Sequence, residues 1–230
     1  MSDVVVQFLK RILAPVAVLF VVMVGLGLLV TKVMAHTWPL TVEDTVNRDF
    51  ASDREPVGNA ISYFFSTVGS TPVIIAVTAL VAIILRLVLK RWREPLFLCA
   101  AVSAQAIVFF FTTLVIDRHR PSVTHMDTSP PTSSFPSGHT SAAVALYIGL
   151  AFLLASLAHH TWVKTLCWLL VLVPVGVALG RLYRGMHHPS DVTASFFNGI
   201  TCIVIMARGI LDRTVQWTRH TAGRLRTAHA

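Results

Sequence analysis

Hydrophobic residues gather in six long runs, at 13–30, 72–89, 96–116, 141–157, 165–180 and 192–210, and polar or Pro/Gly-rich breaks divide them. Each run approaches the ~20 residues an α-helix needs to cross a hydrocarbon core about 30 Å thick. A helix satisfies its own backbone hydrogen bonds, so the pattern predicts six membrane-spanning helices. The breaks are unequal. Those at 90–95 and 158–164 are short, whereas 36–70, 117–139 and 181–191 are longer and hold the unusual residues.

Within 36–70, an acidic stretch precedes AISYFFSTV at 60–68. Its aromatic residues suit a helix at the membrane interface, either as a cap on the bundle or with Tyr63, Phe64 and Phe65 flanking an access gap for lipid. The expected fold class is all-α: a polytopic, six-transmembrane-helix bundle with an interfacial helix in the first outward loop. No repeat or long linker divides it, so residues 1–230 are expected to form one membrane-embedded domain with a basic tail over 211–230.

Composition agrees, because 54% of the 230 residues are hydrophobic and only 13% charged, outside the range of a water-soluble domain. The first run follows Lys10 and Arg11, and its apolar core exceeds the roughly 7–15 residues of a signal-peptide core, so a retained helix is expected. The formal charge of +8 would suit nucleic acid, but its distribution points elsewhere. Six spans put twelve of the nineteen Lys and Arg on the side of the termini against Asp3, Glu94 and Asp212, leaving the two sides at +9 and −1. That asymmetry follows the positive-inside rule. Cytoplasmic termini in a plasma (inner) membrane are expected, with no nucleic-acid partner. Cys99, Cys167 and Cys202 lie in apolar runs and read as small buried hydrophobes.

The stretch 117–139 reads DRHRPSVTHMDTSPPTSSFPSGH, an anion-binding surplus beside hydrocarbon where ionisable groups are costly. Ser137, Gly138 and His139 stand where the fourth helix begins. Free N–H groups and the positive end of the helix dipole favour a phosphate there, and Gly138 allows close approach. His139 titrates near neutrality and suits proton donation to a leaving oxygen. A matching half, GRLYRGMHHPSD at 180–191, leads into the sixth helix, with Pro189 in its first turn. Asp191 can there orient an imidazole nucleophile, and the arginines suit phosphate oxygens. Arg118 and Arg184 have two open roles, phosphate binding or pairing with Asp117 or Asp127.

These residues resemble the type 2 phosphatidic acid phosphatase family, whose motifs are Lys-x6-Arg-Pro, Pro-Ser-Gly-His and Ser-Arg-x5-His-x3-Asp. The matches are Arg120-Pro121, Pro136 to His139, and Arg181 with His187 and Asp191, spread over roughly 113–191. The resemblance implies that His187 attacks phosphorus, Asp191 orients it, and His139 protonates the leaving group. Arg120, Arg181, Ser137 and Gly138 would hold the phosphate without a metal or other cofactor. A purely helical projection favours His188, whereas the spacing from Arg181 favours His187. Two positions depart from the motifs: Thr113 replaces the lysine and Gly180 the serine before Arg181. Arg118 is expected to supply the missing charge if the loop after Ile116 bends. The function implied is hydrolysis of a lipid phosphate monoester or diphosphate, of phosphatidate or polyprenyl diphosphate type, at the non-cytoplasmic face. A phosphotransferase and a non-catalytic lipid-phosphate binder or transporter are the alternatives.

Overall fold

A computed structural model describes residues 2–128 and 132–212. The basic tail expected over 211–230 therefore lies almost wholly outside the described residues. The described residues form a multi-pass membrane protein of six long apolar helices: α1 (Val5–Val33), α4 (Thr71–Leu89), α5 (Arg93–Val115), α6 (Gly138–Leu157), α7 (Thr161–Tyr183) and α8 (Pro189–Leu211). Two shorter helices, α2 (Glu43–Ser52) and α3 (Pro56–Val68), stand between α1 and α4. The aromatic segment at 60–68 lies in α3. Helix α2 was not anticipated, because its acidic residues hide the few positions that turn inward.

The bundle turns a broad apolar surface outward and packs large apolar side chains together with small and polar residues within. Val18, Leu80, Phe110 and Leu172 are exposed, as lipid-facing positions are. The core is packed by Phe97, Leu98, Ala101, Val108, Val144, Leu146 and Cys202 from α5, α6 and α8. Small residues let these helices approach closely. A Cβ at Gly199 would stand 2.5 Å from the Val144 side chain, so α8 and α6 meet there. Asn198 ties the same three helices by donating to Ser141 Oγ at 2.8 Å and to the Gln105 carbonyl at 3.3 Å.

At one end of the bundle, Arg93 donates to the carbonyls of Ile210 and Asp212 and fastens α5 to α8. At the other end, the first turns of α6 and α8 meet the last turn of α7 and the loop after α5. Helix α3 closes over that end because α7 presents glycine to it. A Cβ at Gly176 would fall 2.3 Å from the Phe65 ring, and one at Gly180 would fall 3.2 Å from the Ser62 carbonyl. This close approach explains glycine at 180, and it makes Phe65 a packing residue. Tyr63 and Phe64 on the same helix are exposed.

Candidate active site

The loop between α7 and α8 turns at Gly185, whose φ of 70° belongs to the left-handed region that glycine tolerates. It then delivers His187 and His188 to the start of α8. Pro189 needs no N–H in the first turn, and Asp191 reaches back to accept the His188 N–H at 2.8 Å. The same carboxylate oxygen, Oδ2, therefore both caps the helix and faces the imidazole of His187.

His187 is buried, and its Nδ1 lies 2.7 Å from the carbonyl oxygen of Ser134. A carbonyl only accepts, so Nδ1 carries the hydrogen and Nε2 keeps the free lone pair. The nearest Asp191 oxygen is 3.8 Å from Nδ1. The carboxylate thus acts on the ring through space, while the backbone carbonyl sets the tautomer. Burial foremost pulls the His187 pKa down to about 4; Asp191 opposes that, and Arg181 and Arg120 add to it. The imidazole is neutral at physiological pH, as a nucleophile must be.

Arg181, Arg120 and the His139 ring share one electrostatic neighbourhood with His187. Arg120 is fixed by donating Nη1 to the Met186 carbonyl at 2.7 Å. Arg181 is fixed by Ser66 Oγ at 2.7 Å and Asp127 at 2.6 Å. The Nε groups of both arginines are buried with no acceptor among the described residues. An unpaired buried N–H on a charged group is costly, so these two Nε groups are candidate donors to an anion. Burial lowers the Arg120 pKa, with Asp191 pulling it back up.

Ser137 serves mainly as structure. It is fully buried, caps Thr140, and gives its own N–H to Ser195 Oγ at 2.7 Å. The N–H groups of Gly138 and His139, in the first turn of α6, have no partner within the helix, the kind of donor that suits an anion. A Cβ at Gly138 would meet the Phe109 ring at 2.8 Å, so the position is closed on its helix side.

Arg118 departs from expectation. Its guanidinium does not join Arg120 and Arg181 but is held by Asp191, by Glu43 at 2.6 Å and by Ser190 Oγ at 2.7 Å. Two carboxylates behind His187 outcompete the lysine-like role foreseen for it, and Asp117 is not its partner. Thr113 turns its hydroxyl to the Phe110 carbonyl of its own helix. Arg184 pairs through Nε and Nη2 with Asp127 and lies over the Tyr63 ring. Burial alone would raise the Asp127 pKa, but the Arg184 hydrogen bond and the charges of Arg181 and Arg184 hold it below the ordinary carboxylate range. His188 turns its ring towards the His119 carbonyl at 3.3 Å and Asp44 at 3.9 Å.

Three contributors were missed from sequence. The Ser134 carbonyl has no residue signature. Glu43 and Asn47 are buried on α2, and Asn47 donates to the His187 carbonyl at 3.0 Å. Their four-residue spacing in an acidic stretch was the available signal.

Residues 94–214 match the family model of the PAP2 superfamily. Among solved structures, the first transmembrane PAP2 type phosphatidylglycerolphosphate phosphatase from Bacillus subtilis is similar in fold, with TM-score 0.73 and 20% identity over 89% of this chain and 98% of that one. LpxE of Aquifex aeolicus is similar with TM-score 0.54 and 23% identity over 70% of this chain and 92% of that one. No match was found among curated proteins.

Proposed function

The chain belongs to the PAP2 superfamily, and we propose that it is an integral membrane lipid phosphatase working through a phosphohistidine on His187. The observation that carries this reading is a histidine lone pair fixed beside donors suited to an anion. His187 donates Nδ1–H to the Ser134 carbonyl, and Arg120 and Arg181, in the same electrostatic neighbourhood, have Nε groups with no acceptor among the described residues.

The His187 Nε2 lone pair attacks phosphorus as the P–O bond to the lipid breaks, and His139, which takes up a proton together with the anionic substrate, gives that proton to the departing oxygen. Arg120, Arg181 and the first-turn N–H groups of α6 hold the equatorial oxygens, whose charge they stabilise most in the transition state. Water then loses a proton to His139 and attacks phosphorus. The P–N bond returns its electron pair to the imidazole, and inorganic phosphate leaves. The arginines supply the positive charge, so the reaction is expected to proceed without a metal.

A hydrocarbon-bearing substrate is supported by an apolar groove of about 640 Å³ between α1, α2 and α8, lined by Leu26, Val46, Phe135, Thr193 and Phe197. The bundle end opposite the site carries Lys10, Arg11, Lys90, Arg91 and Arg208. The positive-inside rule supports a site on the non-cytoplasmic face, and the membrane we infer is the plasma (inner) membrane. That placement favours a polyprenyl diphosphate or related carrier lipid, which presents its phosphate there, over phosphatidate.

The test is phosphate release from phosphatidate, phosphatidylglycerol phosphate and polyprenyl diphosphate by detergent-purified protein, with and without chelator, beside His187→Ala. Chelator-insensitive release that the variant loses supports the proposal. Release that survives in His187→Ala contradicts it, and label passing to a second lipid in place of water makes the protein a transferase.

A further inference from the structure

Behind His187, a chain of buried polar contacts has no part in the phosphoryl-transfer steps. Glu43 and Asn47, 6% and 1% exposed, stand one turn apart on the face of α2 that meets the loop before α8. Glu43 uses both oxygens. Oε2 accepts from Arg118 Nη2 at 2.6 Å, and Oε1 accepts the backbone N–H of Ser190 at 2.6 Å. The other side of the Arg118 guanidinium holds Asp191. Asn47 secures the backbone carbonyl of His187 itself.

A neutral acceptor would serve the Ser190 N–H, and a buried carboxylate is expensive unless its charge is used. Arg118 with Asp191 alone would be a neutral pair. Glu43 makes the group two carboxylates around one guanidinium, so a net negative charge remains where the His187 ring becomes cationic on accepting phosphorus. The guanidinium is at the same time pinned between its partners and cannot swing towards the phosphate.

We propose that Glu43 is a positioning residue for the reaction: it anchors Arg118 against Asp191, keeps negative charge behind His187, and with Asn47 locks the nucleophile's backbone to α2. This rests on the reading of His187 as the nucleophile. It also gives the first outward segment a role in turnover, beyond covering the bundle.

The experiment compares Glu43→Gln, Glu43→Ala, Arg118→Gln, the double variant Glu43→Gln/Arg118→Gln and His187→Ala, with dioctanoyl phosphatidate and farnesyl diphosphate in detergent micelles. Glu43→Gln is expected to remain folded, with a melting temperature within a few degrees of the parent. Its kcat falls at least about ten-fold with KM within about two-fold, the signature of a contribution made mainly in the transition state. Because Glu43 works through Arg118, the double variant is no slower than Arg118→Gln alone. Parental kcat in Glu43→Gln, losses that multiply in the double variant, or failure of both Glu43 variants to fold would overturn the proposal. The two levels separate cleanly. Activity in His187→Ala defeats the underlying reading, whereas an inactive His187→Ala beside a fully active Glu43→Gln defeats only this one.

Discussion

The carbonyl of Ser134 accepts the Nδ1–H of His187 at 2.7 Å, while the carboxylate of Asp191 stands 3.8 Å from the same nitrogen. Where a carboxylate alone fixes a catalytic imidazole, its amide replacement permits the wrong tautomer and costs about 10⁴ in kcat. Here a carbonyl that can only accept keeps the tautomer. Asp191→Asn is therefore expected to keep the tautomer and the cap on α8 but to lose the negative charge and the pairing with Arg118, costing about 10²-fold in kcat. Steady-state kinetics on the purified variant checks this; a loss as deep as that of His187→Ala would return the orienting role to Asp191.

His187 titrates at about 4 in the folded protein, chiefly through burial, against 6.5 for an unhindered imidazole. Between those values the unfolded chain binds the extra proton and the folded one does not. This contribution to stability is full above about pH 6.5 and is lost as pH falls towards 4, an effect on the order of 3 kcal/mol. The melting temperature in detergent should fall between pH 7 and 4.5, and His187→Gln should flatten that dependence. An equal slope in the variant would show that other groups cause it.

Asp127 holds the guanidinium groups of Arg181 and Arg184, each at 2.6 Å. Removing one partner of such a group leaves buried charge uncompensated, at a cost of about 3–5 kcal/mol. Asp127→Ala is expected to melt lower, and orthovanadate or inorganic phosphate should restore part of the difference by taking up the freed donors. Thermal melts with and without the anion decide it, and a melting temperature unmoved by either change would speak against an anion surface at Arg181.

Gly180 stands where the motif has serine, against the Ser62 carbonyl. Gly180→Ser would push α3 off α7, costing about 1–3 kcal/mol as an overpacked contact. A melt at or above the parental temperature would show that α3 yields freely.

The six spans were legible because hydrocarbon imposes length and polarity on every helix at once, and the start of α8 because Pro189 and Asp191 write a helix beginning into the sequence. His139, Arg120, Arg181 and His187 are singled out by motif spacing, and the structure brings them into one neighbourhood, but spacing does not report their partners. Arg118 shows the limit. Its charge was visible, but its choice between phosphate and carboxylate depended on Glu43, brought in by a helix 75 residues earlier. The Ser134 contact was beyond sequence reading altogether, since every residue type offers the same carbonyl.

The most direct test of the central claim is to quench the protein during turnover of ³²P-labelled lipid phosphate, map the label, and identify the phosphohistidine isomer. The account predicts label on His187 at Nε2, stable to base and labile to acid, and unaltered labelling in His188→Ala. Label on His188, on His187 Nδ1 or on no histidine under conditions of active turnover would contradict it.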